Sequence, residues 1–101
     1  MRVRFRQTGG FGGLAMGCDL DAGTLPGADA SKLTDLIKQA KLEETHERRS
    51  QRGRDLQTYE IVVEDEGMTL KASFDDMTMP PNVEPLLQFL TDRSRPVPLD
   101  D

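Results

Sequence analysis

The chain has no tryptophan, one tyrosine, four phenylalanines, one cysteine and one histidine in 101 residues. With aromatics at 5% and hydrophobic residues at 36%, it can build one thin core and no second domain. The lone Cys18 excludes an internal disulfide, and the lone His46 excludes any centre that needs two imidazoles. No apolar run approaches the roughly 20 residues of a membrane helix. The opening Met1 to Arg6 alternates and holds no apolar block, so no secretory signal is expected, and a cytoplasmic location without membrane contact is. Thirteen basic residues against eighteen acidic ones leave a net charge of -5, which repels phosphate backbones, so nucleic acid is not an expected partner.

What is present is alternation. Val3 and Phe5 share one face of a first strand and Arg2, Arg4 and Arg6 the other. Leu14, Met16, Cys18 and Leu20 alternate in the same way with Ala15, Gly17, Asp19 and Asp21. Between these runs lies Gly9-Gly10-Phe11-Gly12-Gly13, where glycine opens backbone conformations closed to other residues and a hairpin is expected to reverse. Antiparallel pairing then brings the arginine row towards Asp19 and Asp21, and Cys18 points inward as a small hydrophobe.

After a connection rich in Gly and Pro, with Leu25 before Pro26, the period changes to that of a helix. Leu33, Leu36, Ile37 and Ala40 form its stripe from Asp29 onward, with Asp29 or Ser31 as the expected cap and an end near Leu42 or Glu43. Residues 44 to 55 hold four arginines in a polar setting and read as a flexible loop. A second hairpin follows, Leu56 to Asp65 and Met68 to Phe74, turning at Glu66-Gly67, with Val62 breaking its alternation. Asn82 is the expected cap of a last helix that tolerates Pro85 in its first turn and buries Leu86, Leu87, Phe89 and Leu90. The expectation is an α+β fold of order ββαββα, a four-stranded antiparallel sheet with its helices on one face. Residues 1–93 form the domain and 94–101 a disordered acidic tail.

The motifs of catalysis fail one by one. His46-Glu47-Arg48-Arg49-Ser50 begins like the zinc-protease signature, but Ser50 stands where the second histidine belongs. Asp19, Asp21 and Gly23 start like a calcium loop, yet Thr24 and Ala30 occupy its invariant positions. The glycine stretch precedes a strand and lacks the lysine of a phosphate loop. Carboxylates such as Asp75 and Asp76 fall near turns and suit capping as well as acid-base work. No metal site and no cofactor are expected, and a binding domain is favoured over an enzyme.

The basic first strand, Gly9-Gly10-Phe11-Gly12-Gly13-Leu14, Leu25-Pro26, Tyr59 with its hairpin, and Pro85 to Leu90 together resemble emfourin. That family comprises small bacterial proteins that inhibit thermolysin-like metalloproteases such as protealysin. The resemblance spans about residues 1 to 93 and leaves the arginine-rich loop unmatched. It implies a protein inhibitor, monomeric when free, that blocks a protease cleft whose zinc belongs to the target. The protease-binding residues it points to are Gly23, Thr24, Leu25 and Pro26 in one loop and Gly10, Phe11 and Gly12 in the glycine turn. These lie at opposite ends of the first hairpin, so one cleft is not expected to take both, and Leu25 is preferred for its stiffened backbone and aliphatic shape. The competing expectation is a non-catalytic interaction domain that adds an edge strand to a partner sheet.

Overall fold

Val3 and Phe5 are buried while Arg2 and Arg4 stay exposed, the period of two that lays a strand across a core. The computed structural model describes residues 1–9, 14–42, 46–47, 57–75 and 78–98. Its elements run β1 (Arg2–Thr8), β2 (Leu14–Asp21), α1 (Gly27–Ala40), β3 (His46–Glu47), β4 (Thr58–Asp65), β5 (Met68–Asp75), α2 (Glu84–Asp92) and β6 (Arg95–Pro98). The strands form one sheet in the order β3-β5-β4-β1-β2-β6, antiparallel except where the two-residue β3 runs parallel to β5.

Register assembles the core. Phe5 lies between Cys18 and Ile61, and Val3 between Leu20 and Val63. Ile61 in turn faces Ala72, and Tyr59 faces Phe74. Leu33, Leu36 and Ala40 of α1 join this inner face, as do Leu86, Phe89 and Leu90 of α2. Each Val, Leu, Ile or Phe among them taken from water contributes about 1.5–3 kcal/mol. Both helices therefore cover one face, as expected. At the β4–β5 turn, Glu66 and Gly67 both take positive φ, the conformation that matches a two-residue turn to the twist of its strands.

Several expectations are corrected. The sheet has a fifth antiparallel strand, β6, inside the stretch read as a tail, and β3 lies inside the stretch read as a loop. The prolines at 96 and 98 suggested a tail, but they alternate with Arg95 and Val97, which keep their N–H groups for pairing. Helix α1 starts at Gly27, with Pro26 at the cap position and no side-chain cap, and it ends at Ala40 because Lys41 turns left-handed. Asp29 instead sits in its first turn, 3.6 Å from Arg93. Asn82 does not cap α2. It donates to the carbonyls of Ala40 at 2.6 Å and Gln39 at 3.4 Å, closing the end of α1.

Those two links set the helix pair antiparallel, because the start of α2 meets the end of α1 and Arg93 at the end of α2 meets its beginning. Arg93 also lies 3.6 Å above the Phe89 ring and donates to the Phe89 carbonyl at 3.1 Å. Val62, which interrupted the alternation, is buried on the outer face between Arg4 and Lys71 in register, where long aliphatic stems can cover it. Among the described residues no helix is long and apolar enough to cross a membrane.

Candidate functional site

At one end of the sheet a single aspartate organises the loop that follows β2. Asp21 closes β2 opposite Arg2, and Arg2 faces Glu64 on its other side, so the residues after β2 and the β4–β5 turn project from the same end. The Asp21 carboxylate accepts the Gly23 N–H at 2.9 Å. Its carbonyl accepts the Thr24 N–H at 2.9 Å, the Thr24 hydroxyl at 3.0 Å and the Leu25 N–H at 3.2 Å. Ala22 is tied separately to the Met1 carbonyl at 2.9 Å. Pro26 then holds an extended backbone, φ -53° and ψ 146°, and its carbonyl takes the Ala30 N–H as the first bond of α1. A short loop pinned at both ends results.

Of the residues expected there, Gly23, Thr24 and Pro26 are exposed. Leu25 is half-buried and packs against the core. It therefore anchors the loop with part of its side chain and presents the rest. Gly10, Phe11 and Gly12 lie outside the described residues. The strands that lead to them run away from the Leu25 loop, and the seven residues of β1 span roughly 24 Å. The structure thus groups Gly23 to Pro26 at the end of the sheet opposite Thr8 and Leu14.

Two features of this end of the sheet escaped the sequence reading. Asp21 was read as an outward-facing strand residue, although Asp-x-Gly is the pattern of an aspartate that bonds its own backbone two residues on. Met68, the first residue of β5, was assigned to an alternating face, yet it is 74% exposed at the same end of the sheet. Its position beside the Glu66-Gly67 turn was the available signal.

An open cleft of about 300 Å³ is lined by Arg2, Val3, Arg4, Asp19, Leu20, Asp21 and Glu64, but Asp19 is paired with Arg6 at 3.2 Å and Arg4 at 3.6 Å. Burial pushes the Cys18 thiol above its ordinary range, partly offset by Ser94, and its Sγ lies 3.5 Å from the Leu90 carbonyl. Asp75, buried, accepts the Thr78 N–H and hydroxyl at 3.0 Å each, the capping role open to it from sequence. His46 belongs to β3, and no cluster of metal-binding side chains occurs among the described residues.

Edge pairing is restricted at β6. Only Arg95 and Val97 can donate to β2, so Pro96 and Pro98 fall on the outer edge and offer a further strand no N–H.

A family model described as Emfourin matches residues 5–91. No curated protein and no solved structure matches the chain.

Proposed function

Because the chain belongs to the emfourin family, a family of metalloprotease inhibitors, we propose that it inhibits thermolysin-like zinc proteases by seating the Gly23 to Pro26 loop in the active-site cleft. The observation that carries this reading is the set of donors gathered by Asp21, which holds the loop in one conformation before it meets a partner. An inhibitor that competes with substrate gains affinity when the bound shape is already populated, since less ordering opposes association. Leu25 is the side chain offered to an apolar subsite. The Asp21 bonds keep the backbone before it turned and Pro26 removes the N–H after it, so the loop does not pair as a regular extended substrate and binds as a poor one. The zinc and the catalytic groups are the enzyme's.

The test is the steady-state rate of a thermolysin-like protease on a peptide substrate, titrated with this protein, followed by a check of the chain for cleavage. Saturable competitive inhibition by an intact chain is expected. Folded protein that leaves the rate of several such proteases unchanged would refute the reading.

A further inference from the structure

We propose that the β4–β5 turn forms a second contact with the same protease, with Met68 seated in an apolar depression on the rim of the cleft. This rests on the reading of the Leu25 loop as the inhibitory element. The argument starts from register: Arg2 faces Asp21 on one side and Glu64 on the other, and Asp65 faces Met68. The turn and the loop therefore leave the sheet at the same end, and the strand ends that carry them are three spacings apart, from β2 through β1 and β4 to β5, about 14 Å. A stable interface of about 800 Å² per partner is roughly 30 Å across, so a surface centred on Leu25 reaches Met68.

The turn is also built to present that side chain. Positive φ at Glu66 and Gly67 fixes the reversal, and beyond the adjoining residues no atom lies within 4 Å of where a Gly67 Cβ would be, so that side of the turn is open. Met68 is exposed to 74%, against 45% for Leu14, the other large exposed hydrophobic among the described residues. An unbranched thioether adapts to irregular apolar surfaces, which suits a rim that differs from one protease to the next. Glu64, Asp65 and Glu66 are exposed around it, so the matching rim is basic or neutral.

The experiment compares wild type, Met68→Ala and Met68→Glu by inhibition constant against a thermolysin-like protease, by sedimentation and by urea unfolding. Met68→Ala is expected to weaken inhibition by several-fold and Met68→Glu by about tenfold or more, with unchanged unfolding midpoints and a monomer throughout. Unaltered inhibition constants, beside a wild type that inhibits, would overturn this inference and leave the Leu25 loop standing. A wild type that does not inhibit would overturn both. Self-association of wild type that Met68→Glu abolishes would assign the turn to a second copy of this chain and overturn the inference as well.

Discussion

The Arg6 guanidinium lies across Gly17, on the outer face of the sheet, donating to the Phe5 carbonyl at 2.7 Å and the Cys18 carbonyl at 3.5 Å while it pairs with Asp19 at 3.2 Å. Gly17 makes this possible because a Cβ there would meet Arg6 Cδ and Nη1 at 2.8 Å each and would collide with the Phe5 carbonyl oxygen. The constraint is one of space. Gly17→Ala is therefore expected to lose about 1–3 kcal/mol, the range of overpacked sites, measured by urea unfolding. Removing the arginine as well, in Arg6→Ala/Gly17→Ala, should not restore stability, since the backbone oxygen remains in the way.

Leu25→Ala separates the packing of that side chain from its proposed contact with the protease. Its half-buried part holds the loop to the core, and truncation should cost about 1 kcal/mol of stability. Inhibition should weaken by more than about tenfold with the chain still folded at assay temperature. An unchanged inhibition constant would show that the subsite takes another residue.

Asp21 tests rigidity without touching the offered side chain. In Asp21→Ala the Gly23 N–H loses its acceptor, while the three donors on the Asp21 carbonyl keep theirs. Inhibition should weaken several-fold at a stability loss of about 1 kcal/mol or less. Asp21→Asn keeps an oxygen acceptor and should behave nearly as wild type.

Asn82→Ala removes the donor that closes α1. The Ala40 and Gln39 carbonyls lose a protein partner, and about 0.5–1.5 kcal/mol of stability should go with it. The inhibition constant should hold, because the end of α1 is remote from the Leu25 loop.

Cys18 predicts a pH dependence of fixed sign. Burial raises its folded pKa above the ordinary value of 9.0, so the folded state keeps the proton when the unfolded chain has lost it. Its contribution is whole below pH 9.0 and is lost as pH rises from there through the folded pKa, by at most about 1.4 kcal/mol per pH unit. Cys18→Ala should be less stable near neutrality and should lack this component of the alkaline decline in urea titrations.

Much of the fold was legible because it is written locally. Val3 and Phe5, Ile61 and Val63, and Leu33 and Leu36 repeat at the periods of strand and helix, and burial follows those periods. The Leu25-Pro26 loop was legible too, since proline and glycine act on their immediate neighbours. Strand β6 was not, because its prolines carry the mark of a tail and only their parity against β2 shows that Arg95 and Val97 can pair. Asn82 likewise has the residue type of a helix start, and nothing local shows that its amide reaches a carbonyl 42 positions earlier.

The sequence by itself determined strands β1, β2, β4 and β5, the two helices and most of the faces they bury, together with the family resemblance and the absence of a recognisable catalytic motif. These depend on residue type and short spacing. Only the tertiary structure decided that Asn82 closes α1, that Arg93 reaches Asp29, that Arg6 crosses Gly17 and that Met68 leaves the sheet at the same end as Leu25. Each of these joins residues through strand register or helix packing, which are set by burying all the apolar faces together and not by any one stretch of chain.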